Sequence, residues 1–402
     1  MNVRIAPSKA CGRVRVPPSK SMAHRLLICA GLCDGESVIG GVSDCEDVQA
    51  TLDCLRSMGA DCVQNGDTVT IRGVDARSVR PSAPLNCRES GSTLRFLIPL
   101  LLLCGAPVTL SGYGRLMERP MTVYSEICRA RGLQFTQNGA FLTVGGGLPS
   151  GHYRLPGNVS SQFVSGLLFA LPLCHEDSLI ELIPPVESRS YILMTLEAMA
   201  RFGVLAEWEG DYCLRVRGGQ RYRPFNGEVE GDYSNAAFLD ALNVLGGSVQ
   251  LEGLRSDSLQ GDRCYKAHME ALSRGNAVIS LGDCPDLGPV LFAVASAMHG
   301  GTFTSIARLR IKESDRVEVM RLELEKFGAS VRVEADSLEI LPSTLHAPSV
   351  PLNGHNDHRI VMSLSVLLTL FGGTILGAEA VAKSYPDFFD HLRSLGISVV
   401  EE

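Results

Sequence analysis

Pro17-Pro18-Ser19-Lys20-Ser21-Met22-Ala23-His24-Arg25 reads as the start of a helix whose first turns carry two fixed cations. The prolines stop a preceding strand, a serine can cap the free N–H groups, and Met22, Ala23, Leu26, Leu27, Ile28 and Ala30 carry the helix onward. Exposed amides and the helix dipole favour an anion there, and Lys20 and Arg25 add full charge on roughly the same face. Taken alone, the stretch fits a capped surface helix with solvated basic residues equally well.

Working outward, the same pattern returns. The helix after Lys20, then Gly35 and the strand Ser37-Val38-Ile39, has a copy that starts at Ser90-Gly91-Ser92 and runs through Gly105 to Val108-Thr109-Leu110. Further starts stand at Ser160-Ser161-Gln162, Tyr233-Ser234-Asn235, Cys284-Pro285-Asp286 and Asn356-Asp357-His358. Steps of roughly 50 to 75 residues exceed solenoid repeats, so each copy should be a small α/β unit of its own. A second, more polar helix follows in most copies, as at Glu46 to Met58 and Arg316 to Phe327. Hairpins then turn at Asn65-Gly66, Asn138-Gly139, Gly210-Asp211 and Ala335-Asp336, while the fourth copy has only Arg274-Gly275-Asn276 at that place.

The expected fold is α/β, with six β-α-β-α-β-β repeats, three per lobe. The last repeat ends at Val399-Val400 without a hairpin, and the chain opens on strand-like Val3 to Ala6 and Arg13 to Val16. The N-terminal strands are therefore expected to complete the sixth repeat. This divides the chain into 19–224 and 1–18 plus 225–402, with proline-marked crossings at Pro17-Pro18 and Pro224. The first helix of each repeat is nearly continuous in apolar and small residues, so it should be buried at the centre of its lobe. If these helices run parallel, their N-termini emerge together, and two such faces opposed make an anion-binding cleft.

With 402 residues, 45% apolar and 20% charged, the composition is that of a folded soluble protein. A net charge of −7 argues against bulk nucleic-acid binding, so anions must be held by local basic clusters. Thirteen cysteines are scattered without C-x-x-C spacing, which suggests reduced thiols in the cytoplasm rather than a metal site. The run Phe96 to Leu103 is too short to span a membrane, and no export signal is evident.

The helix starts and adjoining loops carry unusual chemistry. Lys20, Ser21 and Arg25 stand at the first, Arg88 to Arg95 with Gly91 at the second, and Ser160, Ser161 and Gln162 at the third. Asp286 and Asn356-Asp357-His358-Arg359 mark later starts; Arg119, Arg189 and Lys383 lie on loops. Arg308 to Arg316 alternates in sign, which by itself suits a solvated helix start. A Lys–Glu pair at the lip of a cleft would also tune both groups for proton transfer. By themselves His358 suits a core-lining histidine and Asp286 a helix cap.

Seven segments in order now carry a resemblance. They are Pro18-Ser19-Lys20-Ser21 with Arg25, Glu89 to Arg95, Glu118-Arg119-Pro120, Ser160 to Phe163, Lys312 to Arg316, Asn356 to Arg359 and Ala382 to Pro386. With them the chain resembles the 5-enolpyruvylshikimate-3-phosphate synthases over essentially its whole length. The resemblance implies a two-lobed inside-out α/β barrel of the enolpyruvyl transferase type. It implies transfer of enolpyruvyl from phosphoenolpyruvate to the 5-hydroxyl of shikimate 3-phosphate, in chorismate biosynthesis, with no metal or organic cofactor. Shikimate 3-phosphate would meet Lys20, Ser21, Arg25, Ser160, Ser161, Gln162, Ser188, Tyr191, Asp286 and Lys312. Phosphoenolpyruvate would meet Lys20, Gly91, Arg119, Gln162, Arg316, Arg359 and Lys383. Asp286 would be the base and Glu313 the proton donor, with Lys20 and His358 supporting the charge changes.

The resemblance also implies sensitivity to glyphosate, since Gly91 is small, and no membrane or nucleic-acid partner; a monomer is expected. Glu89 and Arg308 stand where the family often has asparagine; Glu89 is expected to pair with Arg88 or Arg95, and Arg308 to strengthen phosphate binding. Two rival readings are enolpyruvyl transfer to UDP-N-acetylglucosamine on the same fold and a non-catalytic anion-binding module. The loop from Arg115 to Pro120 lacks the cysteine of the aminosugar branch.

Overall fold

The computed structural model describes residues 1–402. The chain separates into two compact units, Pro18–Glu230 and Met1–Pro17 with Gly231–Glu402.

In Pro18–Glu230 three four-stranded sheets share one strand plan. In the first, Asn226–Glu228 runs parallel to Glu36–Gly40, which pairs antiparallel with Thr68–Arg72, itself hairpinned to Asp61–Asn65. Leu85–Asn86, Val108–Ser111, Phe141–Gly145 and Gln134–Asn138 repeat that order, as do His152–Pro156, Ser178–Ile183, Cys213–Val216 and Ala206–Trp208. The hairpins turn where Gly66, Gly139 and Gly210 adopt positive φ, a backbone region that costs a residue without a Cβ almost nothing. The sheets remain separate and open rather than closing into barrels.

Against the sheets lie the apolar helices Lys20–Gly31, Gly91–Leu102 and Ser161–Ala170, which are buried on nearly every side. A helix apolar all round finds water on no face, so its only stable place is the core. Gly166 lets two of them close up. A Cβ there would lie 2.5 Å from the Arg95 carbonyl oxygen and also clash with the Tyr124 hydroxyl. The more amphipathic Glu46–Met58, Thr122–Arg131 and Arg189–Arg201 complete this unit.

The other unit uses the same parts. Ala277–Ser280, Gly301–Thr304, Ser337–Leu341 and Ser330–Val333 form one sheet on the common plan. In the last, Asn2–Ile5 lies between Gly373–Leu376 and Val399–Glu401, taking the place of a hairpin strand. The second N-terminal strand does not join it: Cys11–Arg15 runs parallel to Ser248–Glu252 in a two-stranded sheet of the fourth repeat. The fourth repeat lacks a hairpin, and this strand supplies the parallel neighbour that its short sheet needs. The helices Tyr233–Val244, Gly288–Ala297 and His358–Phe371 are the buried ones here.

Cys11–Arg15 therefore pairs outside the unit of the helix at Lys20 that it precedes, and Asn226–Glu228 outside the unit of the helix at Tyr233 that it precedes. Asn226–Glu228 belongs to the first-repeat sheet, so the second junction falls after Glu230 rather than near Pro224.

Candidate functional site

The candidate residues form a cluster in each unit. In Pro18–Glu230 the three buried helices are capped by serines. Ser19 accepts from the Met22 amide, Ser90 from Thr93 and Ser160 from Gln162. With the caps occupied, the neighbouring charged side chains are held close to the helix starts. Lys20 Nζ reaches Asp47 at 2.8 Å, and both side chains are largely buried. Arg25 is 2% exposed. Its guanidinium donates to the Ser21 carbonyl at 2.6 Å, Thr195 Oγ1 at 2.8 Å and the Tyr191 carbonyl at 3.0 Å, and it lies over the Phe96 and Tyr191 rings. Burial lowers its pKa to about 10, which still leaves it charged at neutral pH.

The second and third helix starts meet around Gln162. Arg95 donates to Gln162 Oε1 at 2.7 Å, and the Gln162 amide donates to Ser92 Oγ at 3.0 Å. A Cβ on Gly91 would lie 2.8 Å from an Arg119 terminal nitrogen and 3.7 Å from Gln162 Oε1. Gly91, Arg119 and Gln162 thus lie side by side, and the missing side chain is what lets Arg119 lie there. Ser161 and Ser188 are buried, and Ser188 has φ 54°, an uncommon value for serine that turns the chain into Arg189–Arg201, where Tyr191 stands. Arg88 donates to Asp53 at 2.7 Å, and Arg95 to Gln162 and Pro120, while the Glu89 carboxylate sits against Gly114.

In the other unit Asp286 is ringed by cations. Lys312 Nζ lies at 3.2 Å, and terminal nitrogens of Arg316 and Arg359 at 3.1 Å each. Burial alone would raise the Asp286 pKa; Arg359, Lys312 and Arg316 override it and hold the carboxyl well below its usual range. Burial pulls Lys312 down. Arg316 is 1% exposed and contacts three carboxylates, adding Glu313 at 2.6 Å and Asp357 at 2.8 Å. Asp357 also caps its own helix through the Arg359 amide and accepts from Ser314 at 2.9 Å. Lys383 donates to the Asn356 carbonyl at 2.7 Å. His358 is buried, its Nδ1 3.9 Å from Asp357 Oδ1. Arg308 donates to the Gly282 carbonyl at 3.3 Å, on the loop that leads to Asp286.

Three acidic partners have no role assigned from sequence. Asp47 and Asp357 look like ordinary acidic residues at helix starts, and only the fold shows which cation each one holds. Asp262 is buried in the turn Gly261–Cys264 and accepts from Ser234 Oγ. Burial, then the charge of Asp286, pushes its pKa up to about 7.

Fixed cations at converging helix starts, with two carboxylates among them, suit an enzyme of anionic substrates. A family model for EPSP synthase (3-phosphoshikimate 1-carboxyvinyltransferase) matches residues 5–392. The 3-phosphoshikimate 1-carboxyvinyltransferase of Clostridium kluyveri is 40% identical, covering 99% of this chain and 98% of that one. The Clostridioides difficile protein of the same name is 36% identical, covering 98% and 97%. The solved structure of EPSP synthase from Acinetobacter baumannii superposes with a TM-score of 0.79 at 25% identity, over 100% of both chains. This chain belongs to the EPSP synthase family.

Proposed function

We propose that the chain transfers the enolpyruvyl group of phosphoenolpyruvate to the 5-hydroxyl of shikimate 3-phosphate and releases phosphate, a step of aromatic amino acid biosynthesis. The family match and the relatives' names support this activity. The observation that carries the mechanism is the ring of Lys312, Arg316 and Arg359 around Asp286.

Both substrates bring a phosphate and a carboxylate, and such anions need cations fixed in place before they arrive. Shikimate 3-phosphate is assigned to Lys20, Ser21, Arg25, Ser160, Ser161, Gln162, Ser188, Tyr191, Asp286 and Lys312. Phosphoenolpyruvate is assigned to Lys20, Gly91, Arg119, Gln162, Arg316, Arg359 and Lys383. With Arg359, Lys312 and Arg316 around it Asp286 is a weak base, because its charge is already matched. When phosphoenolpyruvate draws Arg316 and Arg359 toward its own anionic groups, Asp286 loses counter-charge and gains proton affinity. Glu313, which shares Arg316, is relieved of the same cation and holds a proton more readily.

Asp286 then takes the 5-hydroxyl proton as that oxygen attacks C2 of phosphoenolpyruvate, and Glu313 gives a proton to C3. Lys20 and His358 support the charge that develops. In the second half Glu313 takes a methyl proton back from C3, the C2–O bond to phosphate breaks as the departing phosphate accepts the proton held by Asp286, and the enolpyruvyl ether remains. The reading extends to a cytoplasmic monomer sensitive to glyphosate, and thirteen free thiols suit a reducing compartment.

Incubation with phosphoenolpyruvate and one acceptor at a time, following phosphate, tests the activity. Release with shikimate 3-phosphate alone supports it. Release with UDP-N-acetylglucosamine alone, or with neither acceptor, refutes it.

A further inference from the structure

Outside the residues assigned to substrate, one cluster joins three metal-ligand side chains. Cys264 ends the turn Gly261–Cys264, His268 follows four residues later on the helix Tyr265–Arg274, and Cys284 lies in the loop after Ala277–Ser280. The spacing of four sets Cys264 and His268 on one side of the helix start. His268 turns its Nε2 toward Cys284 Sγ, 3.8 Å away, and the three potential ligand atoms all lie within 4.8 Å of one another.

A tetrahedral site with metal bonds of about 2.0 to 2.3 Å sets its ligand atoms about 3.5 to 3.8 Å apart. The cluster is thus within about an ångström of closing on an ion. Two thiols and an imidazole are a soft donor set, suited to zinc and its heavier relatives and poorly suited to magnesium or calcium. All three residues belong to one compact unit, so the site needs no domain movement to form. Cys284 is buried, whereas Cys264 and His268 are partly exposed, which leaves a route from solvent.

We propose that Cys264, His268 and Cys284 bind a thiophilic divalent cation of the zinc type, with a fourth position left to water. The sequence spacing gave no hint of it, because the third ligand comes from twenty residues further along the chain. Cys284 lies two residues before Asp286, so the ion would anchor the loop that carries the proposed base.

The test uses the full chain, reduced, stripped with a chelator and titrated anaerobically with cadmium, with zinc then added in competition. Thiolate-to-cadmium charge-transfer absorption should saturate near one equivalent, and zinc should abolish it. Cys264→Ser and Cys284→Ser should each lose the stoichiometric band. His268→Gln should weaken binding by more than about tenfold, the lower end of the cost of losing even an outer-shell partner. Cys213→Ser, a control outside the cluster, should change nothing. Absence of a stoichiometric band, or an equal band in Cys264→Ser, overturns the proposal, as does a reduced chain that binds no cadmium yet forms a Cys264–Cys284 disulfide in air. The readout needs neither substrate nor turnover, so it stands apart from the catalytic assignment.

Discussion

Arg359 holds Asp286 at two points: one terminal nitrogen lies 3.1 Å from the carboxylate and the other donates to the Asp286 main-chain carbonyl at 3.0 Å. The fork therefore fixes both the charge of Asp286 and its place in the chain. Removing it with Arg359→Gln takes away the foremost cation among those that keep Asp286 ionised, so the Asp286 pKa must rise. The acidic limb of kcat/KM against pH should move to higher pH, and the KM for phosphoenolpyruvate should increase. An unmoved limb would detach Asp286 from the profile.

Asp286→Asn and Glu313→Gln keep shape and remove the proton-transfer groups. Each should lower kcat by about 10²- to 10⁴-fold, the usual worth of a positioned acid or base. Direct binding of shikimate 3-phosphate should change far less than turnover. A variant that binds poorly but turns over normally would contradict the roles given to these carboxylates.

Gly91→Ala would place a methyl carbon 2.8 Å from the Arg119 guanidinium. Because the clash is with the far end of a long side chain, Arg119 should move while the fold stays intact. The expected result is an unchanged Tm, within about a degree or two for a substitution costing under about 0.5 kcal/mol. The KM for phosphoenolpyruvate should rise more than kcat falls, and steady-state kinetics beside a melting curve would check both.

The repeat was legible because each helix start pairs a small or polar cap with an unbroken apolar run, a signal that survives in a single sequence. The buried helices at Lys20, Gly91, Ser161 and His358 follow from it directly. The course of Cys11–Arg15 was not legible, since nothing in a short alternating strand names its partner; the choice between the fourth and sixth repeats is made by tertiary pairing. The cationic residues of the site were visible as charges out of place at helix starts. Their partners were hidden, because Asp47 meets Lys20 and Asp357 meets Arg316 only through packing between helices. The partners of the arginines beside Glu89 were hidden in the same way: Arg88 donates to Asp53 and Arg95 to Gln162.

Asp262 offers a test by pH. Its folded pKa of about 7 lies above the ordinary 3.8, owing first to burial and then to Asp286. Between those values the folded chain keeps a proton that the unfolded chain has released. The stability this contributes is complete at low pH and is lost as pH rises toward about 7. Asp262→Asn imitates the protonated form and can still accept from Ser234. The Tm of the variant relative to the parent should therefore climb as pH is raised from about 4 to about 7. A constant difference would show that Asp262 does not titrate in that window.

The proposed transfer requires residues of both compact units to reach one pair of anionic substrates. A crystal structure grown with shikimate 3-phosphate and an unreactive phosphoenolpyruvate analogue measures this directly. Lys20 and Arg119 from one unit, and Asp286 and Arg359 from the other, should all lie within hydrogen-bond distance of the same ligand pair. Ligands held by one unit alone, with either group of residues facing solvent, would contradict it.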